Sequence, residues 1–250
     1  MIPTKHLGWL GLFLFSAGCT PNVASAADPG FALVELFTSE GCSSCPPADL
    51  LLSKIASDAK KENRPIYTLS FHVDYWNRLG WTDPYSAAKF TRRQQDYAQT
   101  LRLSGIYTPQ MIVNGTAEFV GSNRANATKA IEAAIVRKAS TMIDLKAKAS
   151  PDEIVVEYKL SEPAPEAVLH FAWTEAEVSS NPDRGENGGQ KLRHVNVVRD
   201  FKTIELKAPF SGSITLQRPD NGLGSVIAYV QEPRSGKIIG ANAIALAAAK

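Results

Sequence analysis

Two cysteines three positions apart, set between a strand-like run and a helix-like run, constrain this chain more than any other feature. Phe31 to Phe37 (FALVELF) is almost continuously apolar, broken by Glu35, and predicts a buried strand. Thr38 to Ser44 supplies turn and cap residues. Beyond Cys45, residues Ala48, Leu51, Leu52, Ile55 and Ala56 recur at helical spacing, one face of an amphipathic helix. Pro46 and Pro47 fix its start, because proline is tolerated only in a helix's first turn. The motif Cys42-Ser43-Ser44-Cys45 therefore stands where a strand feeds a helix N-terminus.

The N-terminus sets the compartment. Lys5 and His6 precede an apolar run from Leu7 to Ala17, and Ala24-Ser25-Ala26 is a small-residue cleavage site. Residues 1–26 read as a secretory signal peptide, too short in its apolar part to span a bilayer as a helix. The expected location is periplasmic or secreted. A second reading takes Ser16-Ala17-Gly18-Cys19 as a lipobox, with Cys19 lipidated; only then is a membrane a partner. Either way the chain's three cysteines reduce to Cys42 and Cys45 in one motif. With 27 basic and 25 acidic residues the chain lacks the basic bias of a nucleic-acid binder.

Beyond the first helix, Pro65 to Trp76 predicts a second strand, and Asp83-Pro84 opens a helix running to about Ser104. Gln110 to Asn114 and Glu118 to Val120 form a hairpin about Asn114-Gly115, and Asn123 caps a third helix. After about Ser140 only short alternating strands remain, from Met142–Ala149 to Lys237–Ala243. The expectation is an α/β thioredoxin-like domain over 27–140 followed by an all-β, sandwich-like domain over 141–250.

A helix start offers unpaired N–H groups and a positive dipole end. Both favour a thiolate at Cys42, the expected nucleophile, with its sulfur exposed; Cys45, half-buried, is the resolving thiol. A zinc site needs further cysteine ligands that the chain lacks, and a c-type haem needs a histidine where Pro46 stands. Serines between the sulfurs donate weakly, which predicts a potential below that of strong oxidants at about −120 mV. Thr108-Pro109 precedes a strand where this arrangement places a cis-proline facing the cysteines, turning the Thr108 backbone toward an incoming chain. Glu35 is a candidate for moving the Cys45 proton, the alternative being a wet or paired strand carboxylate. Trp76 and Trp81, after the second strand, are candidate rims for a substrate, or packing over the strand ends. His72 with Asp74 reads as a polar pair, and Gly185 to Gly189 as a flexible loop leading to His194.

The run from Val34 through Cys42-Ser-Ser-Cys45 to Asp49, then His72-Val-Asp-Tyr-Trp76 with Gly80-Trp81, and Tyr107-Thr-Pro109-Gln110 with Val113-Asn-Gly115, resembles the secreted bacterial DUF1223 family of thioredoxin-like proteins. Gly185-Glu-Asn and His194-Val-Asn-Val-Val198 resemble its C-terminal half. The resemblance implies export and a thioredoxin-like domain. The chemistry predicts a thiol–disulfide oxidoreductase acting on protein or small-molecule thiols and disulfides, with an unidentified redox partner and no cofactor. The alternatives are a copper-delivery protein using Cys42, Cys45 and His72, and a non-catalytic binding module.

Overall fold

The computed structural model of the chain describes Met1, residues 30–219 and residues 222–247. The expected signal segment beyond Met1, Cys19 included, lies outside the described residues. The first half follows the expected element order, but the helix expected to open at Asp83-Pro84 and run to about Ser104 spans only Ala88–Thr100, and the second strand ends at His72 rather than Trp76. The elements are β1 (Ala32–Thr38), α1 (Pro46–Lys61), β2 (Ile66–His72), α2 (Ala88–Thr100), β3 (Gln110–Val113), β4 (Ala117–Val120) and α3 (Arg124–Ile135). Asn123 caps α3 by accepting the Asn126 N–H at 3.0 Å. The β3–β4 hairpin turns through three residues, Asn114 to Thr116, with Asn114 and Gly115 both at positive φ. A Cβ at Gly115 would also lie 1.8 Å from the Gly236 carbonyl oxygen, so the turn admits no other residue without displacing that chain.

The second half supplies β5 (Ile143–Ala149), β6 (Glu153–Leu160), β7 (Val168–Ser180), β8 (Leu192–Glu205), β9 (Ser211–Gln217), β10 (Gly224–Gln231) and β11 (Ile238–Leu246). β8 runs unbroken over Leu192–Glu205, longer than the short strands expected after Ser140. A register shift against β7 occurs at Trp173/Thr174.

The expected fold class is corrected by the sheet order. One eight-stranded mixed sheet runs β11-β10-β7-β8-β2-β1-β3-β4, and β5-β6-β9 form a second, three-stranded sheet. The chain is therefore mostly β, with a single large sheet through both halves, rather than a thioredoxin-like domain followed by a β-sandwich. The junction is β8, which lies parallel to β2 at Ser70↔Val197. The physical reason is the outer edge of β2. Its unpaired backbone groups need a partner, and the apolar face of β2 needs cover beyond what α2 provides. Leu69, Phe71 and Val73 share one core with Ala172, Val198, Ile227, Tyr229 and Ile238 from the second half. Across β1, Val34 and Leu36 meet α1 and α3. Leu169, Phe171 and Trp173 of β7 meet the three-stranded sheet.

Candidate functional site

Cys42 and Cys45 form a disulfide with Cα atoms 5.4 Å apart. Cys45 is the N-cap of α1, and its carbonyl accepts the N–H groups of Ala48 (2.8 Å) and Asp49 (3.1 Å). No side chain caps this helix end, so its positive terminus faces the motif. Ser43 and Ser44 are exposed, yet both cysteines are 0 % exposed. The expectation of an exposed Cys42 and a half-buried Cys45 is corrected here.

The second half of the chain reaches across to the motif. The loop between β7 and β8 folds over the motif. Glu186 accepts from the Ser43 N–H at 2.9 Å and the Ser43 hydroxyl at 2.7 Å. Asn187, 1 % exposed, donates to the carbonyls of Glu40 (2.8 Å) and Cys42 (3.0 Å). The Glu186 bonds hold its carboxyl below the usual carboxylate range, as expected for an anion on donors at a helix start.

Thr108–Pro109 is cis. The Thr108 hydroxyl accepts from the Trp76 indole at 2.8 Å, and the Thr108 carbonyl accepts from the Ser44 hydroxyl at 3.5 Å. A Cβ at Gly121 would fall 3.1 Å from Pro109 Cβ and 3.2 Å from Ala48 Cβ. Pro109 therefore packs close to the first turn of α1. Gln94 holds the turn by donating to the Tyr107 carbonyl at 2.7 Å. Trp81 donates to Glu40 Oε2 at 2.7 Å. Cys42, Cys45, Thr108, Pro109, Trp76 and Trp81 are thus gathered in one region, both indoles half-buried, Trp76 bonded to the loop before β3 and Trp81 to the loop before the motif.

Glu35 is not among them. It is fully buried on the α2 side of the sheet, 2.7 Å from Arg93, hydrogen-bonded by Tyr97, and 3.3 Å from the Tyr229 hydroxyl. The Arg93 guanidinium lies over the rings of Phe71, Tyr97, Phe201 and Tyr229. Glu35 thus ties α2 to the second half of the chain. The paired Asp74 expected for His72 is elsewhere too: Asp74 accepts from Thr91 at 2.5 Å, and His72 pairs with Asp83 at 2.7 Å. Among the described residues no group of three His, Cys, Asp or Glu side chains is arranged to hold a metal ion. The set Cys42, Cys45 and His72 is not brought together.

Beside the motif lies a buried polar cluster that sequence reasoning largely missed. His194, 2 % exposed, is 3.4 Å from Glu40 Oε1 and 3.6 Å from Asp49 Oδ1, without hydrogen-bond geometry to either. Glu40 also accepts from the Ser180 hydroxyl. The His72 ring packs edge-on against His194 with centroids 4.6 Å apart. Burial alone would lower the His194 pKa; the carboxylates of Asp49 and Glu40 outweigh it and push it up to about 10. Asp83 is held low by His72 and by the N–H groups of Glu40 and Tyr85, against the opposing and individually largest effect of burial. Asp49 was legible as the residue one turn after Cys45; nothing local marked Glu40 or Asn187.

Fold and site together define a class: a mixed-sheet protein with a Cys-x-x-Cys disulfide at a helix N-terminus, covered by a hairpin loop from the opposite half of the chain. The chain belongs to the family described as "Protein of unknown function (DUF1223)", whose model matches residues 33–231. A crystal structure of an Agrobacterium tumefaciens protein is similar at 28% identity and a TM-score of 0.64, covering 85% of this chain and 93% of that one. HBP35 of Porphyromonas gingivalis shares the fold at 18% identity and a TM-score of 0.62, covering 90% and 77%. No curated protein matches the chain.

Proposed function

We propose that the protein is an exported thiol–disulfide oxidoreductase that acts on protein or small-molecule thiols and disulfides through Cys42 and Cys45. The observation that carries this reading is the Cys42–Cys45 disulfide seated on the uncapped N-terminus of α1. Reduced, Cys42 is the thiolate, favoured by that terminus. It attacks one sulfur of a substrate disulfide, forming a mixed disulfide and releasing the first substrate thiolate. Cys45, deprotonated, attacks the Cys42 sulfur and releases the second. The substrate gains two electrons, and the Cys42–Cys45 disulfide re-forms; with a substrate dithiol the same steps run in reverse.

Both sulfurs are buried, so access requires a neighbouring segment to move, and in this reading it is the β7–β8 loop, which hydrogen-bonds to Ser43 and to the Cys42 carbonyl. Its displacement also frees the Ser43 N–H from Glu186, so that the helix terminus can serve the thiolate instead. Thr108 and Trp76 form the adjoining wall for an incoming chain.

Cys45→Ala tests the reading directly. Expressed in the cell envelope, it should accumulate mixed disulfides on Cys42 that reductant releases. Absence of any such adduct, with a purified protein that neither reduces nor oxidises model disulfides, would sink the proposal.

A further inference from the structure

A resolving thiol must shed its proton before it can attack, and Cys45 is shut away from water. The polar cluster beside the motif joins Asp49 on α1, His194 on β8, Glu40 in the loop before α1, His72 on β2, and Asp83 and Tyr85 before α2. Three carboxylates and two imidazoles here are each 6 % exposed or less. Burying charge on this scale costs several kcal/mol per ion unless pairing returns it. Asp83 is fully engaged, accepting from His72 Nδ1 at 2.7 Å and from the Glu40 and Tyr85 N–H groups, each at 2.9 Å, while His72 Nε2 has no hydrogen-bond partner within the protein. Asp49 Oδ1 and both His194 ring nitrogens likewise lack a hydrogen-bond partner within the protein. Asp49 follows Cys45 by one helical turn, its N–H on the Cys45 carbonyl. Helical side chains lean toward the N-terminus, so the Asp49 carboxylate lies over the turn that begins at Cys45.

We propose that Asp49, positioned by His194, accepts the proton of the Cys45 thiol during resolution of the mixed disulfide. This rests on the dithiol chemistry proposed above. The Cys45 S–H bond breaks and its proton passes to the Asp49 carboxylate. The Cys45 sulfur then bonds to the Cys42 sulfur, and the substrate sulfur leaves as thiolate. Asp49 returns its proton to that thiolate or to water when the loop opens. His194 stays cationic through neutral pH and, 3.6 Å from Asp49 Oδ1, positions that carboxylate.

The reduced chain lacking residues 1–26, mixed with one equivalent of the aromatic disulfide dithiobis-nitrobenzoate, reports each step separately. Attack by Cys42 releases one coloured thiolate, and resolution by Cys45 releases the second. In Asp49→Asn the second release should be slower by about 100-fold near neutral pH. That gap should close as pH rises and hydroxide takes over deprotonation. His194→Gln should show a smaller slowing that closes the same way, and serves if Asp49→Asn does not fold. Second-release rates equal to the parent's at every pH overturn the proposal, and so does a slowing that alkaline pH does not repair. Failure of the parent to make the first release instead removes the dithiol reading itself.

Discussion

Asn187→Ala isolates the cover over the cysteines. Asn187 gives two buried hydrogen bonds to the Glu40 and Cys42 carbonyls, at 2.8 and 3.0 Å. At about 1 kcal/mol net each, their loss weakens the closed loop by about 2 kcal/mol. Since 1.4 kcal/mol is tenfold, the open population rises by about 30-fold. The Glu186 bonds to Ser43 remain, but they are exposed and contribute less. A reductant that reaches the disulfide only through the open form, with fast reclosing, reacts at a rate proportional to that population. The assay is the second-order rate of disulfide reduction by a water-soluble phosphine, read by quenching with an alkylating agent and weighing the protein. The variant should react about 30-fold faster while its cooperative unfolding transition stays close to the parent's. A rate within about threefold of the parent in a fully folded variant would refute the idea that these two bonds hold the site shut.

Three further outcomes follow from the packing. Glu35→Gln leaves Arg93 charged inside the core and should cost about 3–5 kcal/mol in denaturant unfolding; a loss below about 1 kcal/mol would show that the network is not an ion pair in any energetic sense. Stability should peak near pH 6.5. Burial and then Arg93 hold His170 well below its ordinary value, so stability falls as pH drops below about 6.5, by about 1.4 kcal/mol per unit. His194 is raised to about 10, so its contribution is complete below about 6.5 and is lost as pH climbs toward that value. His170→Gln should flatten the acid limb and His194→Gln the alkaline limb of a stability–pH series; unchanged limbs would refute the assignment. A fragment of residues 27–140 should fail to give a cooperative unfolding transition, because it loses the β8 pairing of β2 and the cover from Val198, Ile227 and Tyr229. A sharp transition in that fragment would show that the first half folds alone.

The elements of the chain were readable because each rests on local information. Pro46-Pro47 pins a helix start, Asn114-Gly115 a hairpin, Asn123 a cap, and the β1 and β2 runs are dominated by aliphatic, β-branched and aromatic residues. The cysteine motif, Thr108-Pro109 and the two tryptophans were legible for the same reason. The sheet order was not, because nothing near Val197 states that it will lie beside Ser70. The short alternating strands after Ser140 suit several sheets equally well, and only the bare edge and apolar face of β2 decide where β8 goes. Glu35 misled because its position in an apolar strand announces burial without naming the partner; Arg93 lies 58 residues on. Asn187 sits in a glycine-rich stretch that reads as flexible until its two bonds to the motif are seen.

The covering loop also sets an order of assembly. Asn187 lies 145 residues after Cys42, so a chain made from its N-terminus presents both thiols long before it presents what hides them. During that interval any oxidant or reductant nearby can write the state of the pair. Docking of β8 against β2 then brings the loop down and preserves what was written. The cover over the pair is thus a product of the second half of the chain and cannot close before that half has folded.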